Sequence, residues 1–331
     1  MKHDRRQGRK RPLPIVIAAA VLVVVAAVVV AVTRHGSGGS DPAPPPGTLP
    51  HTPETYLGVY ASNVPASYAQ VSAFATATDV KPDVVMYFSS WYTPFKTAFA
   101  QTAVQNGAVP LIQIEPRTES KTGVQKPVSL AAIAAGKYDA YLSSFSAQVR
   151  SFGHPVILSF GHEMNGNWYP WGHTKSSPAS FKAAWRHIVT LFRELGAKNV
   201  TWLWTVNIID LRHNRIPSPA RWWPGSSFVN WVGIDGYYFK KNYEFAPLFG
   251  PTIARIRGFT KDPILISETG AAAQVGQPAK ITNLFAGIHA YGLLGFVWFD
   301  STDTTNFRID NNPAAEAAFR QGAKTYKWPG T

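Results

Sequence analysis

The sequence predicts an α/β protein built as a (β/α)8 TIM barrel preceded by one N-terminal transmembrane helix, and three observations carry this prediction. Eight short apolar or β-rich runs recur between Tyr56 and the C-terminus, with amphipathic or alanine-rich stretches between them. Near-continuous apolar strands that alternate with helices indicate a parallel sheet covered on both faces. Eight of them fit a closed barrel better than an open doubly wound sheet. Besides the number of strands and their alternation with helices, the third observation is a long uncharged run near the N-terminus, which predicts the transmembrane helix.

The predicted strands share a high content of aliphatic, β-branched and aromatic residues: Tyr56–Tyr60, Val84–Phe88, Val109–Ile114, Pro155–Phe160, Val200–Trp204, Trp231–Ile234, Ile264–Ser267 and Gly295–Trp298. The predicted helices each end near a glycine or an asparagine, as helices tend to: Pro65–Thr76, Thr93–Asn106, Tyr138–Phe152, Ser177–Leu195 and Pro278–Tyr291. No glycine-rich phosphate loop follows the first strand, so a nucleotide-binding fold is disfavoured.

The N-terminal region divides into three segments. Residues 1–14 are basic and precede Ile15–Val32, an apolar run of eighteen residues without a charge. At about 1.5 Å per residue this run is about 27 Å long, close to the thickness of a bilayer's hydrocarbon core. Residues 15–33 are therefore predicted to be a transmembrane signal anchor. Residues 34–50 are rich in Gly, Ser and Pro and form a predicted linker, after which residues 51–331 hold the barrel domain.

The basic N-terminal segment predicts the orientation of the protein. Basic residues stay on the cytoplasmic side of a membrane, so the N-terminus is expected inside the cell and the barrel domain outside. The competing interpretation is a cleaved signal peptide and a secreted protein. An uncleaved anchor is favoured because the apolar run is long for a signal peptide and Ala31-Val32-Thr33 is a poor cleavage site.

Composition and charge exclude some classes of protein. A hydrophobic content of 45% with 13% aromatic residues supports a sizeable core and excludes disorder for most of the chain. The formal net charge is +13, but the basic residues of the barrel domain are scattered singly and no nucleic-acid-binding motif is present. Attraction to an anionic surface, or plain solubility, explains the charge as well. Cysteine is absent, which excludes disulfides and thiolate chemistry. A monomer is expected.

The stretch Gly161–Trp171, GHEMNGNWYPW, is the strongest candidate for a functional site. It follows the fourth predicted strand, and active sites of (β/α)8 barrels lie at the carboxyl ends of the strands. Glu163 lies there beside His162 and three aromatic residues, where partial desolvation would raise the pKa of the carboxyl group. Glu268 follows the seventh strand in a corresponding position. The structural alternative is an irregular loop whose glutamate caps a helix.

Two carboxylic acids on opposite sides of a barrel mouth are the arrangement used for glycoside hydrolysis. When the two groups are about 5 to 5.5 Å apart, one acts as nucleophile and the other first as acid and then as base. A metal site is disfavoured because the HExxH pattern fails at Gly166. A serine hydrolase is disfavoured because no G-x-S-x-G elbow ends a strand. His162 is either a site residue or a hydrogen-bonded core histidine.

Tryptophan residues in loops and at strand ends can stack on the apolar faces of sugars. Six occupy such positions, and about half of these are expected to contact a sugar: Trp91, Trp168, Trp171, Trp222, Trp223 and Trp298. Three others are expected in the core: Trp185, Trp202 and Trp231.

The motifs GHEMNGNWYPWG and ISETG together resemble those of glycoside hydrolase family 26, whose best-known members are endo-β-1,4-mannanases. The resemblance covers the barrel from Tyr56 to Trp328 and implies a (β/α)8 fold and a retaining mechanism. No cofactor or metal is expected. The resemblance also implies that Glu163 is the acid/base and that Glu268 is the nucleophile.

The resemblance extends to residues that bind the sugar. His162 matches the histidine that precedes the acid, and Trp168 matches the tryptophan of that loop. Tyr237, in GIDGYY, matches the tyrosine that hydrogen-bonds the nucleophile. The predicted substrate-binding set is completed by polar and aromatic residues at strand ends: Asn165, Trp171, Asn207, Trp91 and Trp298.

One departure from the family pattern bears on specificity. Family members often carry an arginine in an R-P-x-H-E context, whereas Ser159, Phe160 and Gly161 occupy that stretch here. The family also contains β-1,3-1,4-glucanases and β-1,3-xylanases with the same motifs. The expected function is a retaining endo-glycosidase with β-1,4-mannan as the first substrate, and β-1,3-1,4-glucan or a cell-surface or exported polysaccharide as alternatives. A non-catalytic polysaccharide-binding protein on the same scaffold is the alternative of another class.

Overall fold

A computed structural model of the protein describes residues 49–118, 126–209, 216–303 and 305–328. The predicted segments 1–14 and 15–33, and most of the linker over 34–50, lie outside this part of the chain. Among the described helices, none combines the length and the apolar character needed to cross a membrane.

Eight parallel strands close into a barrel, which confirms the predicted (β/α)8 part of the fold class. Together with one short additional strand, the described strands are β1 (Tyr56–Ala61), β2 (Val84–Trp91), β3 (Val109–Thr118), β4 (Lys126–Pro127), β5 (Val156–Phe160), β6 (Val200–Asn207), β7 (Trp231–Asp235), β8 (Ile264–Thr269) and β9 (Gly295–Asp300). Neighbours run in the order β2-β1-β9-β8-β7-β6-β5-β3, and the pairing of β2 with β3 closes the ring. The short β4 pairs antiparallel with the end of β3 and is not one of the eight.

Helices surround this barrel in the described part of the chain. They are α1 (Ala69–Thr78), α2 (Thr97–Gln105), α3 (Leu130–Ala134), α4 (Asp139–Phe152), α5 (Pro178–Glu194), α6 (Phe245–Arg257), α7 (Gln277–Tyr291) and α8 (Pro313–Thr325). The side chains of Ser129, Ser177 and Asn312 accept backbone hydrogen bonds and so cap α3, α5 and α8. These caps fix where three of the helices begin.

Three helices, α3, α6 and α8, were not predicted, and α6 shows why. Pro247, Gly250 and Pro251 interrupt its sequence pattern, and such residues normally end a helix. Its apolar face nevertheless packs on the barrel through buried Phe249 and Ile256. Tertiary packing therefore overrides the local preference of this segment.

The apolar core has two layers. The outer layer lies between strands and helices and holds most of the buried side chains. The inner layer fills the amino-terminal half of the barrel, where Tyr56 packs against Trp231 with ring centres 4.8 Å apart, beside aliphatic residues that include Met86 and Leu203. Successive residues of a strand point alternately into these two layers. The two layers thus tell which residues of each strand face the barrel axis.

Above the apolar inner layer, the barrel interior becomes polar. Ser159 Oγ lies 3.3 Å from Thr205 Oγ1, and Ser267 Oγ donates a 2.6 Å hydrogen bond to Asp235. Gly233 leaves room for these groups, because a Cβ atom there would lie 2.4 Å from Thr205 Oγ1. The site described next stands on this polar layer.

Candidate active site

Glu163 is held by the backbone of the strands on either side of β5. The N–H of Gly161 donates to the carbonyl of Ile114 in β3 (2.9 Å), and the N–H of Glu163 donates to the carbonyl of Thr205 in β6 (3.0 Å). Both Gly161 (φ +57°) and Glu163 (φ +53°) adopt the left-handed conformation. A non-glycine residue rarely does so, and such strain concentrates at functional sites. The backbone therefore forces this carboxylate into the barrel mouth.

Two donors hold the carboxylate of Glu163. Asn207 Nδ2 donates to Oε1 and Trp168 Nε1 donates to Oε2, each at 2.6 Å. Asn207 is itself fixed by Asn165, which accepts a hydrogen bond from the Asn207 N–H (2.9 Å) and donates one to its carbonyl (2.8 Å). The predicted residues Asn207 and Trp168 thus reach the candidate acid directly, whereas Asn165 acts through Asn207.

Glu268 enters the same mouth from β8 because that strand carries a bulge. The register of β8 shifts by one residue between Leu265 and Glu268 against β7, and between Ile266 and Thr269 against β9. As a result, the consecutive residues Ser267 and Glu268 both make hydrogen bonds within the barrel. Tyr237 donates its hydroxyl to Glu268 Oε2 at 2.7 Å, which confirms the predicted contact between these two side chains.

Burial raises the pKa of both glutamates, and the charge of Glu163 raises that of Glu268 further. For Glu163, burial is the main cause, and the hydrogen bonds from Asn207 and Trp168 act in the opposite direction. For Glu268, burial and then the charge of Glu163 raise the pKa well above its ordinary value, while the bond from Tyr237 lowers it. Two carboxylates so placed are difficult to ionise together, so the pair retains a proton to higher pH than free glutamates do. The separation of about 5 to 5.5 Å expected for a retaining enzyme stays a prediction.

His162 is buried and neutral. Its Nε2 lies 3.0 Å from the hydroxyl of Tyr169, and burial together with the charge of Arg117 lowers the pKa of the imidazole to about 3. Its ring packs against Phe88, with centres 5.5 Å apart. His162 is therefore a buried, hydrogen-bonded histidine, and its predicted contact with the sugar stays a prediction.

An arginine reaches this wall from a neighbouring strand. Arg117, near the end of β3, donates two hydrogen bonds to Glu115 at 2.8 and 2.7 Å. Its guanidinium carbon lies 5.5 Å from the ring centre of Tyr169 and 5.8 Å from that of Trp171, and these two rings stack 4.5 Å apart. The segment Ser159–Gly161 lacks the arginine typical of the family, and β3 supplies a positive charge instead.

Three of the tryptophans proposed as sugar contacts are in the wrong place for that role. Trp91, Trp171 and Trp298 are no more than 2% exposed. Trp171 Nε1 donates to the carbonyl of His162 (2.7 Å), so this ring supports the loop from behind. Trp298 packs outward against Phe319 and cannot meet a ligand in the mouth. The predicted contact by Asn165 is also wrong, since this fully buried amide bonds the Asn207 backbone.

The remaining tryptophans divide into one exposed residue and several that are packed in the core. Trp168 is 45% exposed, as a sugar contact should be, whereas Trp222 is buried and Trp223 packs against Trp204 with ring centres 5.0 Å apart. The three tryptophans predicted in the core are all buried there: Trp185, Trp202 and Trp231.

Several aromatic residues of the mouth were missed because the prediction was one residue out of phase. Side chains on a strand alternate between its faces, so the outward position of Trp298 places Phe299 inside. Phe299 stacks on Tyr60 with ring centres 4.2 Å apart, and lies 6.3 Å from Phe88 and 5.9 Å from Tyr237. These half-buried rings form the floor of the mouth. The β9 sequence GFVWFD is apolar at every position up to Phe299, so it held no alternating pattern that could have found this residue.

Fold and site together define a class: a (β/α)8 protein with a buried pair of glutamates at the carboxyl ends of its strands, as in glycoside hydrolases. Among the described residues, no cluster of three or more His, Asp and Glu could hold a metal. The family model of glycosyl hydrolase family 26 matches residues 126–276, the segment that contains both glutamates. This match confirms the resemblance to family 26 that the two motifs indicate.

Similar proteins carry several specificities in their names. Endoglucanase H of Acetivibrio thermocellus is 29% identical over 281 residues, which is 80% of this chain and 30% of that protein. Beta-1,3-xylanase TXYA of a Vibrio species is 29% identical over 135 residues, or 40% of this chain and 28% of that protein. The chain thus spans less than a third of the length of either relative.

Solved structures support the fold. A family 26 β-mannanase from Bacteroides ovatus has a TM-score of 0.60 at 16% identity, covering 83% of this chain and 89% of that one. A modular endo-β-1,4-mannanase from Cellulomonas fimi has a TM-score of 0.62 at 16% identity, covering 81% and 70%. At this level of identity the similarity establishes the barrel alone.

Proposed function

We propose that the protein is a retaining endo-glycosidase that hydrolyses a β-linked polysaccharide, with Glu163 as acid/base and Glu268 as nucleophile. The observation that carries the proposal is the pair of buried carboxylates, each oriented by a hydrogen bond from the end of an adjacent strand. The family resemblance supplies the roles: the glutamate within the HEMNG-like motif is the acid/base, and that of the ETG-like motif attacks the sugar.

The proposed mechanism has two steps. Glu163 donates its proton to the glycosidic oxygen while Glu268 attacks the anomeric carbon, which breaks the glycosidic bond and forms a glycosyl ester. Glu163 then removes a proton from water as the water displaces Glu268. Tyr237 keeps Glu268 in a fixed orientation, and Asn207 does the same for Glu163. These donors also favour the ionised form of each carboxylate at the step in which that carboxylate acts as nucleophile or base.

The distribution of donors bears on where the shared proton lies. Glu163 accepts two side-chain hydrogen bonds and Glu268 accepts one, so these bonds favour the ionised form of Glu163 more than that of Glu268. The acid role requires the proton on Glu163 once a sugar is bound. We infer that sugar binding breaks the contact from Trp168, whose ring is 45% exposed, and moves the proton to Glu163.

The first substrate we propose is β-1,4-mannan, and β-glucan is the second candidate. Mannan follows from the motif resemblance and from the names of the structural neighbours. Glucan is favoured by the relative that aligns over 80% of this chain, which is named an endoglucanase. The arginine typical of the family is absent, and the charge of Arg117 reaches the site from a different strand. This difference supports a changed preference for the sugar.

The decisive experiment assigns both carboxylates chemically. The wild type is assayed on β-mannan, β-1,3-1,4-glucan and β-1,3-xylan, and the anomeric form of the first product is followed by NMR. Retention of configuration is expected. In the presence of azide, Glu163→Ala should yield a glycosyl azide of retained configuration, and Glu268→Ala one of inverted configuration. The opposite azide products would exchange the two roles, and inversion by the wild type would reject the mechanism.

A matched control separates chemistry from folding. Glu194→Gln removes an exposed carboxylate at the end of α5 and should leave every rate unchanged. If the wild type binds a polysaccharide in an affinity gel but releases no product, the alternative of a non-catalytic binding protein is selected.

We also propose that residues 15–33 anchor the protein in the cell membrane with the barrel domain outside. The proposal rests on the uncharged apolar run behind a basic segment. Cell fractionation and N-terminal sequencing of the full chain test it: the anchored form keeps Met1 or Lys2 and sediments with membranes. A secreted form that begins after Thr33 would establish cleavage instead.

A further inference from the structure

Two large aromatic side chains face solvent at the mouth of the barrel. Tyr92 directly follows β2 and is 56% exposed, and Phe239 lies four residues beyond the end of β7 and is 53% exposed. Neither was among the predicted sugar contacts. Exposed rings beside a polar cleft are the side chains on which the apolar faces of sugars stack.

Tyr92 is held in place although it is exposed. It adopts the left-handed conformation (φ +69°), which is unusual for a bulky residue and is not explained by burial of its ring. The ring makes edge contacts with Tyr141 at 5.4 Å and Tyr138 at 6.2 Å. Tyr141 in turn donates its hydroxyl to the carbonyl of Thr93 at 3.2 Å. A ring supported on its edges loses little freedom when a ligand covers its face.

Phe239 continues the wall of the active site. Its ring centre lies 5.6 Å from that of Tyr237 and 5.9 Å from that of Phe307, and these two rings stack on one another at 5.0 Å. Tyr237 is the residue that hydrogen-bonds Glu268. The exposed ring is therefore connected through one neighbour to the candidate nucleophile.

The order of the strands places these two rings opposite each other. Around the ring of strands, β2 and β7 are separated by three strands on either side: β3, β5 and β6 one way, and β1, β9 and β8 the other. Glu163 follows β5 on the first side, and Glu268 lies in β8 on the second. A ligand stretched from Tyr92 to Phe239 thus passes between the two carboxylates. That is where the scissile bond must lie, because the two groups act from opposite faces of the sugar.

We propose that Tyr92 and Phe239 are the outer sugar-binding rings of one cleft that holds an extended β-linked chain across the barrel mouth. The inference rests on the proposed function and adds to it, because the rings lie on opposite sides and only a chain of several sugars reaches both. They determine specificity for long substrates and for cleavage within the chain. A substrate that occupies only the centre of the mouth does not need them.

The test compares long and short substrates in three variants. Tyr92→Ala and Phe239→Ala each remove one ring. Tyr291→Ala is the matched control, because Tyr291 is 39% exposed but ends α7, at the opposite face of the barrel. Each protein is assayed on the polysaccharide that the wild type hydrolyses best and on an aryl β-glycoside of the same sugar. Thermal unfolding establishes that each variant is folded.

Each ring variant is expected to lower kcat/KM on the polysaccharide about tenfold, the factor that corresponds to one lost stacking contact. Activity on the aryl glycoside should stay within about twofold of the wild type, and Tyr291→Ala should change neither rate. Equal rates for ring and control variants on the polysaccharide would overturn the inference. So would an equal loss on both substrates, because the rings would then support the catalytic centre and not a distant part of the chain.

Affinity gels distinguish failure of this inference from failure of the proposed function. If the wild type hydrolyses nothing, the proposed function is rejected. Retardation in gels that contain β-mannan, β-1,3-1,4-glucan or β-1,3-xylan then tests whether the two rings bind a polysaccharide. Retardation of the wild type and of Tyr291→Ala, with loss in both ring variants, supports the cleft. Identical migration of all four proteins rejects it.

Discussion

The two ends of the barrel interior are built from different kinds of side chain. At the amino ends of the strands, Tyr56, Trp231 and aliphatic residues fill the axis. At the carboxyl ends, carboxylates, hydroxyls and half-buried rings occupy the same axis. Burial there shifts the pKa of the carboxyl groups. The comparison teaches that this barrel separates stability from chemistry along its axis. The lower layer contributes packing, and the upper layer carries groups whose pKa values burial disturbs.

The largest effect is expected at the upper end. Glu268→Gln keeps the shape of the side chain but removes the charge, so kcat on the preferred polysaccharide should fall by more than about 10³-fold. The rate of reducing-sugar release measures the loss. Activity within tenfold of the wild type would mean that the upper end holds no essential carboxylate at β8.

At the lower end, Trp231→Ala should mainly change stability. Removing this fully buried ring leaves a cavity, and large-to-small substitutions of this kind cost about 3 to 5 kcal/mol of unfolding free energy. Urea unfolding measures the loss, and kcat of the folded fraction should be unchanged. If kcat falls while stability is kept, the separation of the two ends is wrong.

A smaller effect on activity is expected for Tyr237→Phe. The lost hydrogen bond to a charged group corresponds to about 1.5 to 3 kcal/mol, or roughly a 10- to 100-fold fall in kcat/KM. Because the Tyr237 hydroxyl lowers the pKa of Glu268, its removal raises that pKa, and the acidic limb of the pH–rate profile should shift to higher pH. Tyr238→Phe is the matched control, since Tyr238 is buried on the other face. Equal profiles for both variants would contradict the proposed role.

The smallest effect is a gain in stability. The folded-state pKa of Glu268 is raised, so this group stabilises the fold only at low pH, and its contribution is lost as the pH rises through that pKa. Glu268→Gln should therefore unfold at a higher temperature than the wild type near neutral pH, with the difference vanishing below the pKa of a free glutamate. Thermal scans across this pH range measure it. A variant less stable than the wild type at neutral pH would show that Glu268 is not strained in the upper layer.

Much of the fold and the two glutamates could be predicted from the sequence. Apolar runs such as Ile264–Ser267 mark strands because both of their faces are buried, and chemistry at strand ends then singles out Glu163 and Glu268. What failed was the direction of single side chains. The prediction places Trp298 in the mouth because tryptophan rings at strand ends can stack on sugars. The alternation of faces along the strand instead places Phe299 there.

Contacts between distant strands were beyond any pattern in the sequence. Arg117 lies near His162 only because β3 pairs with β5, and the pKa of the histidine responds to that neighbour. Tyr92 could not be distinguished from its buried neighbour Trp91, because the left-handed turn that exposes its ring depends on packing against α4. Such features follow from tertiary structure and not from local preference.

The bulge in β8 makes the site depend on residue count. Ser267 and Glu268 share the barrel interior only because the strand contains one extra residue there, and a strand without it would turn one of the two outward. Substitutions around the bulge leave this spacing intact, whereas a deletion or insertion of a single residue removes the nucleophile from the mouth while keeping its identity. Segments such as this should vary freely in side chain and hardly at all in length when the chain is recombined with related barrels.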